Sequence, residues 1–98
     1  MVIEKAYFTI NKGLELDFEE AFTDAVKLIA SIPGYQNYRL TKSVEAERKY
    51  VIFVEWESLS AHTEGFMESS QFEEFTKLMD PFLANVEMEH LVTIASDN

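Results

Sequence analysis

An α+β fold of βαββαβ order is predicted, a four-stranded antiparallel sheet with its helices on one face. Three observations carry it. Four segments alternate with the period of a strand, two repeat with the period of a helix, and Asn11-Lys12-Gly13, Pro33-Gly34 and Asp80-Pro81 fall between them. That order is the split pattern of a ferredoxin-like sandwich. The 98 residues suffice for one core, and no linker, repeat or low-complexity stretch interrupts them, so one domain over 1–98 is expected.

Val2 to Ile10 is the first strand, with Val2, Glu4, Ala6, Phe8 and Ile10 on one face and Ile3, Lys5, Tyr7 and Thr9 on the other. A helix follows, with Asp17 as N-cap and Glu20 at capping-box spacing. Phe18, Phe22, Ala25, Val26, Ile29 and Ile32 form its apolar stripe, which Pro33-Gly34 ends. Tyr35 to Val44 and Lys49 to Trp56 flank the charged turn 45–48 as a hairpin. Ser58 caps a helical piece carrying Leu59, His62 and Phe66. After a break near Gly65 and Ser69-Ser70, the box Ser70-x-x-Glu73 starts a second piece carrying Phe72, Phe75, Leu78, Met79 and Phe82. Alternation from Val86 to Ile94 gives the last strand.

Composition removes several functions. Acidic residues outnumber basic ones 18 to 8, giving a net charge of −10, which disfavours phosphate backbones and anionic membranes. No basic-aromatic strand motif for RNA is present, and Gly13, Gly34 and Gly65 are isolated rather than gathered in a phosphate loop. Cysteine is absent, which excludes disulfides, thiolate nucleophiles and Cys-held metal clusters. The charged start Met1-Val2-Ile3-Glu4-Lys5 does not suit a signal peptide, and the longest apolar run, Tyr50 to Val54, is far below the ~20 residues that span a bilayer. A cytoplasmic protein handling a small molecule is expected. Apolar residues on both sheet faces predict a partner for the face without helices, most economically a second copy.

The segment Val54-Glu55-Trp56-Glu57-Ser58, the spacing of His62, Phe66, Ser69 and Phe72 after it, the junction Ile32-Pro33-Gly34-Tyr35, and His90 on the closing strand resemble the antibiotic-biosynthesis-monooxygenase-like proteins of the dimeric α/β-barrel superfamily. The resemblance implies a dimeric α/β barrel, closed by two sheet faces. It also implies oxygenation of an aromatic or quinol-like compound without a cofactor. The haem-degrading branch uses an Asn, a Trp and a His where this chain has Ala6, Gly65 or Phe66, and Phe75 or Thr76, so haem degradation is not expected.

Strand order and direction place Trp56, His62, His90 and Glu4 toward one end of the domain. His62 and His90, on apolar faces, are the candidate catalytic residues, because a neutral imidazole accepts a proton from a phenol. Trp56, Phe66, Phe72 and Glu4 are the candidate substrate-binding residues. Glu4 with the two histidines also has the composition of a two-His-one-carboxylate iron site, though no spacing motif fixes the three and Glu4 at a strand end is open to water. No metal or cofactor is assigned. The alternatives are a non-catalytic small-molecule binding or sensing dimer, and a structural dimer with packed, inert histidines.

Overall fold

The computed structural model describes residues 1–97. Strand β1 (Val2–Ile10), helix α1 (Glu15–Ala30), the hairpin β2 (Tyr35–Lys42) and β3 (Lys49–Trp56), a π-helical turn (Ala61–Phe66), helix α2 (Ser70–Met79), a short 3₁₀ turn (Asp80–Phe82) and β4 (Leu83–Leu91) follow in order. The sheet runs β2-β3-β1-β4 with all three pairings antiparallel. This is the βαββαβ ferredoxin-like topology.

One parity of each central strand builds the core. Ala6, Phe8 and Ile10 from β1 and Tyr50, Ile52, Val54 and Trp56 from β3 are buried under the α1 stripe of Phe18, Phe22, Ala25, Val26 and Ile29. The opposite sheet face has no helix over it, and it is mixed rather than oily. Ile3, Val51 and Phe53 are half-buried there, Lys5 sits over the rings of Tyr7 and Phe53, and the Tyr7 hydroxyl donates to Glu89.

Four boundaries differ from the sequence reading. Helix α1 starts at Glu15 with Leu14 as N-cap and no side-chain cap, because the chain already turns at Gly13, whose N–H donates to the Glu15 carboxylate. Asp17 therefore lies in the first turn, where its charge favours the helix dipole. The cap of α2 is Ser69 rather than Ser70; its Oγ accepts from the Phe72 N–H at 3.2 Å. Strand β2 ends at Lys42, since Ser43 turns the chain by accepting from the Glu45 and Ala46 N–H groups. Strand β4 spans Leu83 to Leu91, not Val86 to Ile94. It is an edge strand whose one neighbour is β1, and the pairing ends where Ile3 meets Leu91.

Two features position the segment after β3. Ser58 caps it as expected, with Oγ accepting from the Ala61 N–H at 3.2 Å. Gly34 then lets it lie close: its φ of +95° suits glycine, a Cβ there would stand 2.7 Å from the Ala61 Cβ, and its carbonyl accepts from the Glu57 N–H. No helix of the described residues is long and apolar enough to cross a membrane.

Candidate functional site

The sheet register brings the site together before any side chain is considered. Val2 faces Trp56 on one side of β1, and Glu4 faces His90 on the other. The π-helical turn then lowers His62 onto this end of the sheet. Its wider ladder is marked by the Met67 N–H donating to the His62 carbonyl, and such turns recur at functional sites. His62 and Phe66 are the buried residues of the turn.

Four side chains form one connected network. The Trp56 Nε1–H donates to Glu4 Oε1 at 3.0 Å. His62 Nε2 lies 3.2 Å from the same oxygen, and His62 Nδ1 lies 2.8 Å from His90 Nε2. Trp56, His62 and Phe66 stack nearly in parallel, with ring centroids 5.4 Å apart for the first pair and 6.1 Å for Trp56 and Phe66. Phe72 and Phe75 close on Phe66 edge-on.

Burial sets the protonation of this network. Desolvation pushes the Glu4 carboxyl from 4.5 up to about 7, against the Trp56 hydrogen bond, which pulls it down. Desolvation also lowers His62 from 6.5 to about 4, helped by the neighbouring His90. At neutral pH His62 is therefore uncharged, and its 3.2 Å approach to Glu4 is not an ion pair. A neutral imidazole has one N–H. When Glu4 is ionised that proton belongs on Nε2, facing the carboxylate, and Nδ1 accepts from His90 Nε2–H.

Beside the network lies a small cavity of about 130 Å³, open at one end. Glu4 and His62 are its polar wall, and Ala6, Phe8, Ile29, Phe66, Phe72 and Phe75 are among its apolar one. Met67, Val86 and Met88, the exposed lining residues, mark the mouth at the β4 edge. No Lys or Arg of the described residues lines it. The lining thus offers apolar contact on most sides and one polar, ionisable side.

Four of the six residues singled out from sequence, Glu4, His62, Phe66 and Phe72, line this cavity. Trp56 does not; it is fully buried one layer behind, where it holds Glu4 and stacks on His62. His90 also stands outside the lining, with its Nε2 against His62 Nδ1. Glu4 is not in strand-end water but 7% exposed, because the indole and an imidazole satisfy it. Nor do the three groups converge as iron ligands do: His62 lies between the other two and turns a different nitrogen to each. Of the lining residues missed, Val86 and Met88 were signalled by their shared parity with His90, Ala6 and Phe8 by theirs with Glu4, and Phe75 by its helical spacing from Phe72; Met67 had no such signal.

The family model described as antibiotic biosynthesis monooxygenase matches residues 1–78. The uncharacterized protein YczJ of Bacillus subtilis (strain 168) is 44% identical over 82 residues, which cover 84% of this chain and 86% of that protein. An antibiotic biosynthesis monooxygenase-type protein from Bordetella bronchiseptica superposes with a TM-score of 0.92 at 28% identity, covering 96% of this chain and 97% of that one. SnoaB, a cofactor-independent oxygenase from Streptomyces nogalater, shares the fold with a TM-score of 0.86 at 18% identity, covering 98% and 95%.

Proposed function

The chain belongs to the antibiotic biosynthesis monooxygenase family, and from that premise we propose that it is a cofactor-independent monooxygenase, acting as a cytoplasmic homodimer on an uncharged, electron-rich aromatic held between helices and sheet. The observation that carries this reading is an acid–base unit, Glu4 with His62 and His90, set in a cavity that is otherwise apolar. Its cofactor independence has a parallel in SnoaB, which shares the fold.

The chemistry needs no outside reductant. A methylene activated by flanking aromatic rings and a phenol gives up a proton, and its electron pair stays on carbon. That carbanion reduces O2 and joins it as a peroxide. Loss of water from the protonated peroxide leaves a carbonyl, so CH2 plus O2 becomes C=O plus H2O, and the substrate supplies all four electrons. The protein's tasks are to remove a proton, return one, and keep water away from the carbanion. An acid–base group of suitable pKa serves the first two, and the phenylalanine walls serve the third. The dimer belongs to the same reading, through Ile3, Val51, Phe53 and Leu91 on the sheet face without helices.

Oxygen uptake by the metal-stripped protein with anthrone and a hydroquinone panel tests this. Uptake above autoxidation that vanishes when the cavity is filled by Ala6→Trp supports it. Saturable binding of anthrone without oxygen consumption would make the protein a binding module instead.

A further inference from the structure

We propose that Glu4 is the catalytic residue that takes and returns the substrate's proton, and that His62 and His90 are positioning residues that hold its carboxyl. This rests on the monooxygenase reading and names the proton acceptor within it.

Counting hydrogen-bonding atoms leads there. His62 lines the cavity, yet its Nδ1 is bonded to His90 and its Nε2 faces Glu4 Oε1 at 3.2 Å. An imidazole flanked on both sides in this way cannot turn a nitrogen to a guest without giving up its bond to His90. His90 lies outside the lining and reaches the cavity only through its bond to His62. Glu4 differs from both. Trp56 donates to Oε1 and His62 approaches that same oxygen, so Oε2 is left with neither, while the residue lines the cavity.

The groups facing Glu4 are Trp56 from β3, His62 from the π-helical turn and His90 from its paired position on β4. Helices α1 and α2 bring the uncharged Ile29, Phe72 and Phe75 to the same cavity. No cation therefore holds Glu4 permanently ionised, and its raised affinity for a proton near neutrality suits a group that must both accept and donate.

The step balances at one atom. Oε2 takes the proton as the substrate C–H bond breaks, with the electron pair left on carbon. After O2 has added, Oε2 returns it to the outer peroxide oxygen. Loss of the second C–H proton to Glu4, with departure of hydroxide that regains that proton, gives the carbonyl and water. Through the cycle Oε1 keeps the Trp56 N–H bond and its place beside His62 Nε2. The histidines need neither rotate nor change tautomer. Their chain from β4 fixes the carboxyl in advance, as outer-sphere partners fix the groups they hold.

Variants and NMR of the whole protein decide the assignment. With anthrone as the probe, Glu4→Gln is expected to lower oxygen uptake by a factor on the order of 100 or more, the usual worth of a general base. His62→Asn, which keeps an amide donor, is expected to lose about tenfold and to retain the acid limb of the kcat/KM pH profile. The opposite pattern, His62→Asn inactive and Glu4→Gln retaining that limb, overturns the proposal. The second arm uses no substrate. Nitrogen NMR from about pH 5 to about pH 8 should show His62 neutral with its proton on Nε2 throughout, while carbon NMR shows a glutamate carboxyl, absent in Glu4→Gln, titrating near neutrality. A His62 that charges or switches tautomer across that range overturns the proposal even if turnover is seen. No uptake by any form, with the NMR pattern as expected, would refute the oxygenase reading and still leave Glu4 as the cavity's proton acceptor.

Discussion

Replacing Glu4 by Gln should change how stability depends on pH, and the size and sign of the change follow from the network. Folding raises the Glu4 carboxyl from 4.5 to about 7. Between those values the folded protein binds a proton that the unfolded chain has released, so this group's contribution is fully present below 4.5 and is lost as pH rises to about 7. His62 runs the other way, from 6.5 down to about 4, and costs stability as pH falls through that range. Between 4.5 and 6.5 the two slopes cancel, one proton gained at Glu4 against one lost at His62. At about 1.4 kcal/mol per pH unit, the Glu4 span from 4.5 to about 7 amounts to about 3 kcal/mol. Gln keeps a carbonyl oxygen for Trp56 and His62 and has no charge to bury. The stability of Glu4→Gln relative to the unaltered protein should therefore move by about 3 kcal/mol in favour of the variant as pH rises from 4.5 to 7, with every other titration cancelling in the difference. Urea unfolding followed by the single, fully buried Trp56 reads this, at one protein concentration because association would shift the midpoint. A difference that stays constant with pH, or moves toward the unaltered protein, would refute a desolvated carboxyl at this site.

Four further outcomes follow from the packing. Phe66→Ala removes a buried ring from the Trp56–His62 stack and should cost about 3–5 kcal/mol in urea. Phe72→Ala cuts a half-buried cavity wall, so it should weaken anthrone binding, read by calorimetry, with a smaller loss of stability than Phe66→Ala. Gly34→Ala places a methyl 2.7 Å from the Ala61 Cβ on a backbone of positive φ, and should lower Tm by at least the equivalent of about 1 kcal/mol. Ser69→Ala removes the cap of α2 and should cost about 1 kcal/mol, whereas Ser70→Ala should be nearly neutral.

The element order, the core stripe of α1 and the hairpin were legible because each rests on local periodicity, which Phe18, Phe22, Ile29 and the β3 alternation carry plainly. That His62 and His90 fall toward one end of the domain was legible as well, since antiparallel topology alone sends the end of β3 and the end of β4 to one place; their contact was not. Nor was the burial of Glu4, although it was among the residues singled out. Its parity with Ala6, Phe8 and Ile10 points inward, yet a carboxyl at a strand end reads as solvated until its partners are known, and those lie 52 residues away for Trp56 and on a separate turn for His62. The choice between Ser69 and Ser70 fell to tertiary packing, because both serines suit a cap. The π-helical turn leaves no periodic signature in so short a segment, and its end was visible only as a break near Gly65.

Oxygen labelling follows the proposed reaction atom by atom. The metal-stripped protein is given anthrone under isotopically heavy oxygen gas, and product and solvent are weighed by mass spectrometry. The account predicts one heavy oxygen in the product carbonyl, one in water, one O2 consumed per product, and loss of all three signals in Glu4→Gln beyond autoxidation. Hydrogen peroxide accumulating in place of labelled product, or labelling unchanged by the substitution, would contradict it.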